Sequence, residues 1–244
     1  MIERPSVGIF SKTIDPAFLE IAGRSGLDFV IIDMEHGPLD LARVHDHVRA
    51  LKLTPAQSFI RVPRLDASVI ASALDSGADG ILVPNIKNAE QARAAVHAAR
   101  FHPEGGRGVC RYVRAANFGE TPGADYFEAA NRATLVCQIE GREAVDQLDA
   151  ILDVKGIDIL FIGPYDLSQS LGCPGEVASP KVLEFVAEIA TRAKDRGIRT
   201  GAFSDDPKLT QTLLGCGVSM MACSVDVDVF RSGLASLIEA HGHG

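Results

Sequence analysis

The chain has 244 residues, 46% of them hydrophobic and 23% charged, which suits one soluble domain with a large core. Its net charge of −8 speaks against a general nucleic-acid or membrane-surface binder, although a few local arginines could still hold a small acidic substrate. No apolar run approaches the roughly 20 residues of a membrane span, and the start MIERPSVGIF lacks the basic region and long apolar stretch of a secretory leader, so a cytoplasmic location is expected.

Val7–Phe10 reads as a first strand, and Asp15-Pro16 as the cap and first turn of a helix to about Gly23. Asp28–Met34 (DFVIIDM) is apolar enough for a strand covered on both faces. A helix over Leu39–Leu51, a strand over Ser58–Val62 and a helix over Ala67–Ser76, stopped at Gly77, come next. Gly80–Pro84 is a fourth strand, and Asn88 caps an alanine-rich helix to Arg100. From Phe101 to Gly123 runs a long polar, glycine-rich stretch containing GGRG and RYVRAANFG; a loop of that length inside a domain points to function. Strands are then predicted over Thr134–Ile139, Ile157–Ile162, Ile198–Ala202 and Val218–Cys223. They alternate with helices over Arg142–Leu152, Pro180–Arg196, Pro207–Leu214 and Val227–Ala240. Eight strands alternating with eight helical segments predict an α/β fold: one closed (β/α)8 TIM barrel over residues 1–244, without repeat or linker. The five cysteines (Cys110, Cys137, Cys173, Cys216, Cys223) form no C-x-x-C pair and read as incidental thiols.

In such a barrel the chemistry sits at the carboxyl ends of the strands. The second predicted strand runs into Asp33, Glu35 and His36, the third ends at Arg61, the fifth at Gln138 and Glu140, and the sixth runs into Gly163-Pro164-Tyr165-Asp166. Glu140 and Asp166 suit a hard divalent cation, Mg2+ or Mn2+, as two carboxylates completed by water and substrate oxygens. The bland alternative is a pair of solvated loop carboxylates. His36 is a candidate base because imidazole titrates near neutral pH; the alternative is a structural histidine. Arg61 suits a bidentate grip on a carboxylate, or else a barrel-closing ion pair. Of Asp33 and Glu35, only one is expected to point inward, the other supporting the metal site or His36. His45, His47, His241 and His243 read as solvated.

Taken in order, DMEHGPLD, the strand-ending Arg61, VPNIKNAEQA, RGV, QIEGREAV and LFIGPYDLSQSLG resemble the HpcH/HpaI aldolase family over nearly the whole chain. QIE combined with GP-x-DLS is the specific part. The resemblance implies a class II pyruvate aldolase that needs a divalent metal (Mg2+ or Mn2+, with Co2+ a further option). It would cleave a 4-hydroxy-2-oxo acid to pyruvate and an aldehyde. By the same resemblance Glu140 and Asp166 are metal ligands, Arg61 binds the oxo acid and stabilises its enolate, and His36 is the acid/base. Asp75 in LDSGAD matches an aspartate that approaches His36 from a neighbouring subunit. Gln138 lies near the substrate, and backbone amides around Gly163, Pro164 and Tyr165 hold the pyruvate carboxylate. The resemblance further implies a homo-oligomer, often a hexamer. Tyr165 departs from the small residue of many relatives and could narrow the pocket. Cys110–Phe118 varies among relatives; its Arg111 and Arg114 are candidates to grip a distal carboxylate, or else solvated loop residues.

Several rivals remain open at this point. A Schiff-base aldolase would need a lysine at the mouth. Lys12 follows the first strand and Lys87 the fourth, and neither is expected in the carboxylate cluster. Oxaloacetate decarboxylation or CoA-ester cleavage would use the same enolate site. A non-catalytic carboxylate-binding barrel needs no metal. A nicotinamide dehydrogenase is disfavoured, because GGRG does not sit in a strand-to-helix turn.

Overall fold

Phe29–Asp33 are five consecutive buried residues forming a strand, β2. A strand without a solvent face belongs inside a parallel sheet that helices cover. The computed structural model describes residues 4–242. It runs β1 (Ser6–Ser11), α1 (Pro16–Arg24), β2 (Phe29–Asp33), α2 (Leu41–Leu51), β3 (Gln57–Arg61), α3 (Ala67–Asp75), β4 (Gly80–Val83) and α4 (Ala89–Ala99). After a 3-10 turn (Arg114–Gly119) come α5 (Gly123–Ala130), β5 (Thr134–Ile139), α6 (Arg142–Asp146), α7 (Leu148–Leu152) and β6 (Ile159–Ile162). The chain ends through α8 (Pro164–Ser170), α9 (Pro180–Asp195), β7 (Arg199–Phe203), α10 (Pro207–Gly215), β8 (Met220–Val225) and α11 (Asp226–His241). Every strand pairs in parallel with its sequence neighbours, and β8 returns to β1, closing the eight-stranded barrel. The predicted (β/α)8 fold is therefore observed.

The core divides as the two-residue period of a strand requires. Phe10, Phe29, Ile31, Phe59, Phe161 and Met220 fill the barrel interior. Val30, Ile32, Ile60, Ile81 and Leu160 face outward against the helices. Inside, Phe10 meets Phe161 and Phe29 meets Phe59 edge to face, each at 5.9 Å between centroids. Gly80 makes room for this, because a Cβ there would lie 2.6 Å from the Phe59 ring.

The predicted caps are in place: Asp15 accepts from Ala17 N–H at 3.0 Å and Asn88 from Gln91 N–H at 3.0 Å. Gly77 follows α3 with φ +80°, which a glycine adopts without steric cost. Three local expectations need correction. The helix predicted over Arg142–Leu152 is two short ones, broken at Gln147 (φ −104°, ψ 11°). The stretch after Phe101 ends in α5, whose Tyr126 and Phe127 pack on Phe101; that satellite core carried no periodic signal of its own. Gly163-Pro164 opens a seven-residue helix, α8, because proline suits a first helical turn.

Helices run antiparallel to the strands, so the links from helix to strand lie at the amino end of the barrel. The 101–123 stretch joins α4 to β5 and is therefore at that end. Arg114 donates to Ser76 O, beyond α3, at 3.0 Å. Arg111 donates to Thr121 O at 3.1 Å, within its own loop. Neither arginine reaches the carboxyl-end mouth of its own chain. His47 also departs from expectation: it is fully buried, with its ring nitrogens 2.7 Å from Arg43 O and 2.9 Å from Thr13 O. It ties α2 to the β1–α1 loop. His45 is half-buried, His241 is exposed, and His243 lies outside the described residues. All five cysteines are unpaired thiols. Among the described residues no helix is long and apolar enough to cross a membrane.

Candidate active site

The site is built from strand ends. The β2–β3 register sets Asp33 beside Arg61. Arg61 donates from Nε to Asp33 Oδ1 at 2.9 Å and from Nη2 to Oδ2 at 2.7 Å, a bidentate pair. Its Nη1 lies 3.0 Å from Glu35 Oε2. Its guanidinium sits 4.6 Å from the Phe10 ring centroid. Asp33 Oδ1 also accepts the backbone N–H of Glu35 at 3.0 Å and of His36 at 3.2 Å. One buried carboxylate thus fixes both the arginine and the turn that carries His36. Asp33 and Glu35 both turn toward Arg61, against the expectation that only one would. Residues two apart on an extended chain share a face, and the strand ends at Asp33.

His36 is exposed at the mouth, its Nε2 3.8 Å from Glu35 Oε2. From β5, Gln138 is buried and donates from Nε2 to Glu140 Oε2. Its Oε1 is buried with no hydrogen-bond partner among the described residues. Beyond β6, Asp166 stands in the first turn of α8. A Cβ on Gly163 would lie 3.1 Å from Glu140 Oε2 and from Gln138 Nε2, so the absent side chain makes space for Glu140. The amide of Gly163 donates to Ile139 O at 3.0 Å, and Pro164 has no N–H. The expected carboxylate grip by amides around Gly163–Tyr165 is therefore reduced to the amide of Tyr165. Tyr165 leans over Phe203, and its hydroxyl donates to the Asp205 carboxylate at 3.2 Å.

Electrostatics single out the carboxylates. Burial pushes Glu140 up to about 7, and the nearby charges of Glu35 and Asp166 push the same way. Burial also raises Glu35, against the charges of Arg61 and His36. Burial opposes ionisation of Asp33 as well, but the hydrogen bonds and charge of Arg61 outweigh it and hold that carboxyl below its ordinary value. Such a pattern, with ionisation of grouped acids resisted until positive charge arrives, is what a divalent cation relieves. Among the described residues no three His, Cys, Asp or Glu side chains stand together as a ready-made ligand set. Two carboxylates with water and substrate completing the shell is the form Mg2+ prefers, so the donor set fits.

A cavity of about 270 Å3 joins these groups, lined by His36, Arg61, Gln138, Tyr165 and Asp166. It also contains Lys12, contrary to the expectation that no lysine lies near the carboxylates. Lys12 Nζ is 3.8 Å from Asp33 Oδ2. The rule that flagged the other residues, polar groups just beyond a strand, also covers Lys12. Lys87 instead faces Glu143 at 3.4 Å. Asp75 ends α3 at the amino end of the barrel, where Arg107 binds its carboxylate. The fold does not bring it to His36 of the same chain. A larger groove of about 710 Å3, lined by Arg4, Lys194 and Arg199, lies at that amino end, away from these groups.

The sequence profile of the HpcH/HpaI aldolase/citrate lyase family matches residues 6–233. The chain belongs to this family. It is a carbon–carbon lyase by that membership, and its aldolase-named relatives agree. A 5-keto-4-deoxy-D-glucarate aldolase of Citrobacter koseri is 34% identical, over 98% of this chain and 92% of the relative. A hydroxypyruvate/pyruvate aldolase of Roseobacter denitrificans is 39% identical, over 85% of this chain and 81% of the relative. The crystal structure of a family protein from Burkholderia cenocepacia superposes with a TM-score of 0.91 at 31% identity, covering 98% of this chain and 95% of that one. A citrate lyase beta subunit from M. tuberculosis, itself solved with oxaloacetate and magnesium, shares the fold with a TM-score of 0.60 at 15% identity, over 92% of this chain and 93% of that one.

Proposed function

We propose that the protein is a divalent-metal-dependent pyruvate aldolase, cleaving a 4-hydroxy-2-oxo acid between C3 and C4 to pyruvate and an aldehyde. The observation that carries this reading is the meeting at one barrel mouth of a buried, clamped Arg61 with the mutually repelling carboxylates Glu35, Glu140 and Asp166. Glu140 and Asp166 would hold Mg2+ or Mn2+. When bound, the cation supplies Lewis-acid stabilisation of negative charge on the oxo-acid oxygens.

The chain's own residues account for the rest. Asp33 holds the Arg61 guanidinium in place, so positive charge waits where the C2 oxygen becomes an enolate, and no reorganisation is needed. His36, steadied through its backbone by Asp33, takes the proton of the C4 hydroxyl. As that oxygen forms the aldehyde carbonyl, the C3–C4 electron pair moves to C2–C3. Protonation at C3 then yields pyruvate. Gln138 holds Glu140 through its side-chain N–H, and the amide of Tyr165 can take the carboxylate.

A homo-oligomer completes the reading. Val227, Phe230, Leu234, Leu237 and Ile238 of α11 expose apolar side chains next to Phe18 and Ile21 of α1, a face that association would cover. Asp75, remote from His36 in its own chain, would reach it only from another subunit.

The test is turnover of a panel of 4-hydroxy-2-oxo acids with and without EDTA. Cleavage to pyruvate, lost in EDTA and restored by Mg2+ or Mn2+, is expected. Turnover of oxaloacetate alone would replace the aldolase reading with decarboxylation, and borohydride trapping of pyruvate on Lys12 would replace the metal mechanism.

A further inference from the structure

Tyr165 and Asp205 stand at matching points beyond neighbouring strands. In the β6–β7 register Ile162 faces Ala202, and Tyr165 and Asp205 each lie three residues further along. The Tyr165 hydroxyl donates to the Asp205 carboxylate, 3.2 Å from both of its oxygens. The ring leans on Phe203 at 6.1 Å between centroids. Burial and the Asp205 charge both push the phenol above its ordinary value, so it keeps its proton and remains the donor.

The Asp205 end of this tie is firmly mounted. Ser204 N–H donates to Ala222 O at 3.0 Å, and the Ser204 hydroxyl donates to Asp206 O at 2.9 Å. Asp206 Oδ1 caps α10 by accepting the Leu209 N–H at 2.7 Å. The Tyr165 end has less of its own support. α8 has seven residues, too few for a helix that is stable alone, and no side chain caps its start at Gly163. Buried Pro164 anchors its entry, and buried Leu167 and Ser168 anchor its far side, where the Ser168 hydroxyl donates to Tyr165 O at 2.6 Å. Between those anchors Tyr165 and Asp166 are exposed. The Asp166 carboxylate lines the cavity, and among the described residues it makes no hydrogen bond or ion pair of its own. Its position is therefore that of the turn, and the bond to Asp205 ties that turn sideways to the end of β7.

We propose that Asp205 is a positioning residue. Through the Tyr165 hydroxyl it holds the first turn of α8, and so sets the Asp166 carboxylate and the Tyr165 amide against the cavity. The inference rests on the reading above, in which Asp166 binds the metal and that amide takes the oxo-acid carboxylate. Loss of the tie should weaken both roughly tenfold, the low end of what supporting groups of a metal site contribute, because the pair is partly exposed.

Calorimetry with Mn2+, and then with pyruvate at saturating Mn2+, reads the effect without turnover. Tyr165→Phe keeps the ring on Phe203 and removes only the hydroxyl, whereas Asp205→Ala removes the acceptor. Each should weaken both ligands, with Tm near the wild-type value. The double variant should bind no worse than either single one, because the same bond is lost in all three. Asp205→Asn keeps an oxygen acceptor without the charge and should recover most of the affinity. Wild-type affinities in Asp205→Ala overturn the proposal, and so does a loss in the double variant equal to the product of the two single losses. So does Asp205→Asn binding Mn2+ as poorly as Asp205→Ala while Tyr165→Phe binds it normally, since the carboxylate would then act by its charge alone. Asp166→Asn isolates failure of the underlying reading: if it binds Mn2+ as tightly as the wild type, Asp166 is no ligand, and the metal assignment falls together with the inference.

Discussion

Asp33 and Arg61 are register partners on adjacent parallel strands, and their side chains close a two-bond clamp at the mouth of the barrel. Both are buried, so the clamp's strength lies in what happens when half of it is removed. Asp33→Ala would leave the guanidinium with Glu35 alone. The expected cost is roughly 3–5 kcal/mol of stability, a fall in Tm of roughly 6–20 °C for a chain of this size. Thermal unfolding at pH 7 measures it. The Asp33 carboxyl is held below its ordinary value, so its contribution is present above that value and lost as pH falls through the folded one. The variant should accordingly lose less stability on acidification than the wild type; an equal or larger loss would contradict the clamp.

Glu140 has the opposite sign. Its folded value is about 7 against an ordinary 4.5. Between those values the folded protein holds a proton that the unfolded chain has released, so stability falls as pH rises through the window. In EDTA the wild type should lose Tm between pH 5 and 7.5, and Glu140→Gln should flatten that part of the slope. Divalent metal displaces the same proton, so its affinity should climb with pH up to about 7. Parallel slopes in the two proteins would remove Glu140 from the acid cluster.

Gly163 tests the metal cradle without disturbing the backbone. Its φ of −89° and ψ of 92° are open to alanine. The added methyl would press on Glu140 and Gln138 at 3.1 Å. Gly163→Ala should fold with a near-normal Tm and weaken Mn2+ binding by about 10- to 100-fold, the range for supporting groups of a metal site. Calorimetry with Mn2+ reads this directly, and unchanged affinity would show that Glu140 has room to move.

Asp75 calls for a mixing experiment. Asp75→Ala and His36→Ala should each be weakly active alone. Refolded together they should regain activity, because some sites would combine an intact His36 with an intact Asp75 from a neighbour. Failure to regain activity, with hybrid oligomers demonstrated, would leave Asp75 as the partner of Arg107 alone.

Much of the barrel was legible because its signals are local. The apolar run of β2, the caps at Asp15 and Asn88 and the stop at Gly77 act through neighbouring residues. The polar residues beyond β2, β3, β5 and β6 were legible too, because strand direction fixes which end they occupy. Lys12 obeys the same rule, but only closure of the barrel brings the end of β1 beside Asp33. His47 looked solvated because a histidine in a polar helix gives no sign of the carbonyl waiting on another element.

The sequence by itself determined the order of elements, the face that carries chemistry and the residue types delivered there, since each depends on periodicity and chain direction. Tertiary structure decided which of those residues meet. Register set Arg61 on Asp33, burial and crowding raised Glu140, and the amino-end placement of the long loop took Arg111 and Arg114 from the site and left Lys12 in it. Contact and desolvation depend on distances between segments far apart in the chain, and only closing the barrel sets those distances.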